Sequence, residues 1–253
     1  MKGIADRVLT AAKADQAEVI VTAIDGHLTR FAANAIHQNV SERNVTVRVR
    51  AVTDRRIGVA SGNDLSDGGL RRLAGRAVRI AGLQRANPDF RSLPEPRPVP
   101  TVDAIVEQTA NATPGDRAAA AAEVIECAIG EGLEAAGAVS TELEEIYVGN
   151  TLGVSAYHGR TAAAIVAVVM GADSSGYASD ADLDLARLDP EGIGRAATEK
   201  AIRSRRPVSI EPGEYTVILE EDAVADMLFY LGYLGLGALS VQEGRSFLCG
   251  RLG

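Results

Sequence analysis

The sequence predicts an α+β fold, and three observations carry that expectation. Val45, Val47, Val49 and Ala51 alternate with Thr46, Arg48 and Arg50, the period of a strand with one buried face. Leu70, Leu73, Ala77 and Ala81 fall at helical spacing and make an apolar stripe. Along the chain the patterns run strands, helix, strands, helix, without the regular alternation of a parallel α/β sheet.

The elements follow in order. Ile4, Val8 and Ala12 place a helix over residues 1–13. Residues 18–24 are apolar and β-branched, a strand. After the alternating strand 44–52, Asp54-Arg55-Arg56 makes a hairpin turn into a short strand, 57–60. The next helix carries the stripe Leu70 to Ala81, with Ser66 or Asp67 at its cap and Arg71, Arg72, Arg76 and Arg79 on its outer face. Five of the nine prolines fall between Ala86 and Pro100, which predicts an extended linker. Beyond it come a helix over 116–135 with Ile125, Ile129 and Leu133 on one face, and a strand over 139–148. Two further strands, 154–158 and 162–172, are predicted on either side of a Gly159-Arg160 turn. Asp189 caps another helix, with Pro190 in its first turn and Ile193, Ala197 and Ala201 inward. A second linker spans 207–213, a buried strand 215–219, and a helix 222–231 with Val224, Leu228 and Leu231 on one face.

The expected organisation is an N-terminal α+β domain (1–85), a Pro-rich linker (86–100), a central α+β domain (101–206) and the start of a third domain (207–253). No internal repeat is evident.

Composition narrows the function. Hydrophobic residues make up 46% and charged residues 24%, the balance of a soluble globular chain. A net charge of -8 argues against general nucleic-acid binding, which needs a cationic surface. Residues 227–241 are the longest uncharged apolar stretch and fall short of a membrane span. Two cysteines, Cys127 and Cys249, make no disulfide framework, and the N-terminus has no signal-peptide core. A reduced cytoplasmic location is the expectation.

Reactive side chains are sparse. His27, His37 and His158 have no second ligand at metal spacing. Cys127 lies near the buried face of its helix, as a core residue does, and no His neighbours it in sequence. Arg203, Arg205 and Arg206 fit a solvated helix end, with an anion site as the alternative. Glu142, Glu144 and Glu145 fit a solvated strand face or, less simply, a cation site. Gly232, Gly235 and Gly237 lack the Lys-Ser/Thr of a phosphate loop.

An ordered set of segments resembles the TldD/PmbA family of metallopeptidase-related proteins. They are residues 28–38, 45–50, 56–66, the Leu93-Pro94-Glu95-Pro96 linker, 148–153, 212–219 and the ending Gly-Arg-Ser-Phe-Leu-Cys-Gly-Arg-Leu-Gly of 244–253. The resemblance implies a β-rich C-terminal domain, of which this chain would carry only the beginning, as a truncated product. Zinc peptidases of the family hold their metal in a His-Glu-x-x-x-His helix after a strand like Val217-Ile218-Leu219. Here those positions fall on Phe229, Tyr230 and Leu234, so the chain resembles the PmbA (TldE) branch that lacks the motif. Three apolar or aromatic residues there imply a packed helix.

The resemblance thus implies no catalytic residue and no metal ligand in this chain, and zinc in a TldD-type catalytic partner. Together the pair would process small or unfolded polypeptides, without nucleic acid or membrane. Two alternatives stay open: an active metallopeptidase with ligands in further C-terminal sequence, and an independent binding or scaffold domain.

Overall fold

A computed structural model describes residues 1–251. Its centre is a six-stranded antiparallel sheet in the order β3-β2-β1-β4-β5-β6. The strands are β1 (Gln16–Ala32), β2 (Ala35–Thr53), β3 (Arg56–Gly62), β4 (Glu134–Asn150), β5 (Ser155–Met170) and β6 (Ser175–Asp182). The helices are α1 (Lys2–Ala11), α2 (Asp67–Leu83), α3 (Glu107–Ala110), α4 (Pro114–Gly130), α5 (Pro190–Arg203), α6 (Glu221–Gly235) and α7 (Ala238–Gln242). No helix among the described residues is long and apolar enough to cross a membrane.

Two-residue turns set the register of the first three strands. Ala33 and Asn34 join β1 to β2, and Asp54 and Arg55 join β2 to β3, all four at positive φ. Such turns match the twist of the strands they join. Asn34 also ties the first turn to the start of β4, accepting from the Ala135 N–H at 2.7 Å and donating to the Leu133 carbonyl at 2.9 Å.

All the packed helices lie on one face. Val19, Val21, Val47 and Val49 meet α1 and α2 through Val8, Leu70, Leu73 and Ala77. Phe31, Val139, Ile165 and Ala167 meet α4 and α5 through Val124, Ile125, Ala197 and Ala201. Register partners such as Val19, Val49 and Gly149 share a pleat side, as do Phe31, Gly137 and Ala167, and strand parity puts both groups on the same face. Among the described residues no helix packs on the opposite face.

The segments on either side of the Pro-rich stretch therefore share one sheet, joined along β1 and β4. That stretch is pinned to the sheet: the Leu93 N–H donates to Gln16 Oε1 at 2.8 Å, and Asn150 Nδ2 donates to the Pro94 carbonyl at 2.8 Å.

Contrary to expectation, the chain contains an internal repeat. Each half runs helix, three antiparallel strands, helix, and the halves meet at β1 and β4, both 17 residues long. One constant offset takes Gln16 to Glu134, Ala32 to Asn150, Gly58 to Gly176 and Ser61 to Ser179. The same offset takes Asp25 to Leu143, its own register partner, so an approximate two-fold axis passes between that pair. The packing repeats too. A Cβ on Gly58 would stand 2.1 Å from the Ala77 carbonyl oxygen, and one on Gly176 2.0 Å from that of Ala197. Each glycine lets a helix lie directly on an edge strand. The repeat hides in the sequence because it conserves strand parity and register rather than identity, taking Val19 to Gly137 and Phe31 to Gly149.

Four local expectations are corrected. The helix predicted to reach Ala135 ends at Gly130, where Gly132 takes φ 67° and the Leu133 N–H returns to the Ala128 carbonyl at 2.9 Å. Gly159-Arg160 is no turn. It lies inside β5, and a Cβ on Gly159 would meet Ile105 Cδ1 at 2.7 Å, so the glycine admits the crossing segment around Ala104. β6 went unread because Ser175-Gly-Tyr-Ala-Ser-Asp-Ala-Asp182 is polar, as edge strands often are. Residues 215–219 form no strand and are exposed, since no strand pairs with them among the described residues.

Candidate functional site

The degenerate motif lies on α6. Phe229, Tyr230 and Leu234 are all mostly exposed, against the expectation of a packed helix. Their contacts are with one another's turns: Phe229 meets Tyr230 edge-on at 5.5 Å between ring centroids and stacks on Tyr233 at 6.3 Å. Met227, Leu228, Leu231, Leu236 and Leu239 extend the exposed apolar surface. The donor set does not fit zinc. Phe and Leu offer no lone pair, and a phenol stays protonated near neutral pH. Among the described residues no three His, Cys, Asp or Glu side chains gather as metal ligands would.

The start of α6 is anchored by charge. Lys200 Nζ on α5 lies 2.8 Å from Glu220 Oε2 and 3.8 Å from Asp222 Oδ2, and Arg203 Nη2 lies 3.5 Å from Glu220 Oε1. Ser179 Oγ on β6 donates to Asp222 Oδ1 at 3.3 Å. The hydrogen bond to Lys200 holds the Glu220 carboxyl below its ordinary range, and the same bond raises Lys200.

The bare face of the sheet holds a second feature, a depression of about 630 Å³. Ile24, Leu28, Val40, Ala162 and Ala164 give it an apolar floor, with Arg30, Gln38, Glu42, Asn44 and Glu142 around it. Gly26 stands at its middle, with Glu42 and Glu142 as register partners on either side. A residue without a side chain on a central strand opens this depression; no sequence motif marked it. His27 also lines it, with Nδ1 2.8 Å from Ser41 Oγ, and the open apolar floor suits binding.

The remaining sequence-predicted residues scatter. His27 lies on β1 with Nδ1 2.8 Å from Ser41 Oγ and Nε2 3.3 Å from Asp25 Oδ1, but Arg43 also approaches Asp25, at 3.8 Å. His37 is exposed on β2, and His158 sits within β5 rather than at a turn. The Cys127 thiol donates to the Glu191 carbonyl at 3.7 Å, and burial raises its pKa, the opposite of an activated nucleophile. Glu144 pairs with Arg160 at 2.8 Å, while Glu145 on the other strand face accepts from the Tyr157 hydroxyl at 2.7 Å. Arg203 ends α5, Arg205 and Arg206 follow it, and the Arg206 N–H donates to Asp173 Oδ2 at 3.1 Å. Gly235 closes α6 against the Phe247 ring.

Family models match two parts of the chain: PmbA/TldA metallopeptidase domain 1 over residues 17–81, and the PmbA/TldA metallopeptidase central domain over residues 100–205. No curated protein matches it. Among solved structures, TldE from Thermococcus kodakarensis superposes with a TM-score of 0.83 at 19% identity, over 100% of this chain and 58% of that one. A protein from Thermotoga maritima, described as a candidate modulator of a DNA gyrase, gives 0.83 at 18% identity, over 100% of this chain and 59% of that one. One from Bacteroides thetaiotaomicron, described likewise, gives 0.86 at 18% identity, over 99% and 60%. At these identities the likeness is one of fold, and this chain spans about three-fifths of each of those chains.

Proposed function

Since the chain belongs to the PmbA/TldD metallopeptidase family, we propose that it is a TldE-like, non-catalytic subunit of a zinc peptidase complex. It pairs with a zinc-bearing TldD-type subunit and helps hold small or unfolded polypeptides for cleavage. The observation that carries this reading is the side-chain chemistry of α6. The positions where the resemblance puts two zinc ligands and a general base hold Phe229, Leu234 and Tyr230. None can ligate zinc or take a proton near neutral pH. Two surfaces support a binding role. The uncovered apolar side of α6 suits a protein partner, and the bare sheet face suits an extended chain laid across it. A net charge of -8 speaks against nucleic acid as the partner.

Peptide hydrolysis tests it. The chain alone turns over no unfolded peptide, and activity appears when a zinc-bearing family partner is added. Tyr230→Phe then leaves turnover of the pair nearly unchanged. A drop of about a hundredfold, the scale of losing a general acid or base, would give Tyr230 a chemical role and overturn the reading.

A further inference from the structure

The two-fold repeat gives the sheet two equivalent edges, and only one of them is covered by acidic chain. At the β6 edge the run Glu220–Asp222 wraps around the sheet. Asp222 accepts from Ser179 of the edge strand at 3.3 Å, and Glu220 lies 2.8 Å from Lys200 and 3.5 Å from Arg203 on the covering helix. Carboxylates thus bridge an edge-strand serine and helix cations.

At the other edge Ser61 stands where Ser179 stands in the repeat, and α2 lies on β3 at Gly58 as α5 lies on β6 at Gly176. Here a groove of about 370 Å³ is lined by Ser61, Asn63, Asp64, Arg72, Arg76 and Arg79, among others. Three arginines face one aspartate, in a chain whose net charge is -8. Asp64 engages Arg72 at 2.7 Å, Arg76 donates to the Ser61 carbonyl, and Arg79 has no hydrogen-bond or ion-pair partner among the described residues. Because the Ser61 carbonyl points outward, Ile57 and Val59, on the same pleat, also turn their backbone groups away from β2. An edge with free backbone groups is a template for an added strand.

We propose that the β3–α2 groove is a docking site for an extended acidic segment of a partner polypeptide. The segment lies along β3, and its carboxylates take the forked donors of Arg76 and Arg79. This inference is independent of the peptidase reading: it concerns a different edge and holds for any partner with such a segment.

The test is fluorescence anisotropy with the full chain and a labelled hexapeptide built around Glu-Glu-Asp, against its Gln-Gln-Asn counterpart. The acidic peptide is expected to bind about tenfold tighter, and to weaken when salt rises from about 50 to about 200 mM. R76E/R79E is expected to lose about tenfold, while the charge-matched R91E/R97E in the Pro-rich stretch keeps binding. Arg79→Gln, at an exposed side chain without a hydrogen-bond or ion-pair partner among the described residues, guards against a folding defect and weakens binding about threefold. Equal binding of the two peptides, unchanged binding by R76E/R79E and R79Q, or tighter capture of a single-stranded oligonucleotide by this groove would overturn the proposal.

Discussion

Arg117 is fully buried beneath the N-terminal turn of α4, donating from Nη1 to the Ala112 carbonyl and to Thr141 Oγ1, both at 3.1 Å. Its Nε and Nη2 find no partner among the described residues, and no carboxylate pairs with it there. Burial lowers its pKa, with nearby Asp116 opposing the shift, yet a guanidinium keeps its proton. A buried cation without a counter-charge costs stability. Arg117→Met is therefore expected to leave the stability unchanged or raise it, by on the order of 1 kcal/mol. A loss of about 3 kcal/mol in thermal unfolding would show that its two hydrogen bonds outweigh the burial. Nothing in the sequence around Pro114-Gly115-Asp116-Arg117 announces this, because helical periodicity gives a face and not the depth of a long side chain. At Phe229, Tyr230 and Leu234 side-chain chemistry is legible in the sequence but exposure is not, and the packed helix expected there is an open one.

Among the elements, the two edge strands with their helices test the repeat. Gly176→Ala and Gly58→Ala each place a methyl against a helix carbonyl, and each is expected to destabilise by about 3 kcal/mol in denaturant unfolding. Gly82, with nothing within 4 Å of its Cβ position, serves as the control. Gly82→Ala sits in the last turn of α2 and should stabilise by about 0.5 kcal/mol. Equal small effects at all three would deny the close helix approach. The start of α6 carries a pH dependence. Glu220 is lowered on docking, so its contribution is full above the ordinary glutamate value of 4.5 and lost as pH falls through the lower docked value. Lys200 is raised, so its contribution is lost only as pH climbs above its ordinary 10.5. The Val224 amide, bonded to the Glu220 carbonyl at 3.1 Å, reports this. Its protection factor should hold at neutral pH and fall on acidification below 4.5. A factor that stays level would break the link. Elements with strong periodicity, such as β2 and α2, were readable from sequence. The Gly159-Arg160 misreading shows why others were not. A glycine within a strand looks like a turn until the segment that crosses it is known.

At the scale of the molecule, one sheet unites both halves, and a two-fold axis between Asp25 and Leu143 relates them. That relation needs register and strand order, which arise from long-range pairing and leave little trace in local pattern. The α+β class was legible because it depends only on the order of periodic segments. The bare face and the apolar side of α6 leave this molecule with surfaces for partners, and under the proposed function the chemistry of cleavage belongs to one of those partners. Metal content tests that division most directly. The chain, purified alone and dialysed exhaustively, should hold no stoichiometric zinc, and a copurified family partner from the native host should hold about one per chain. About one zinc per chain in the protein alone would contradict the account, since α6 would then not be where this molecule keeps its ligands.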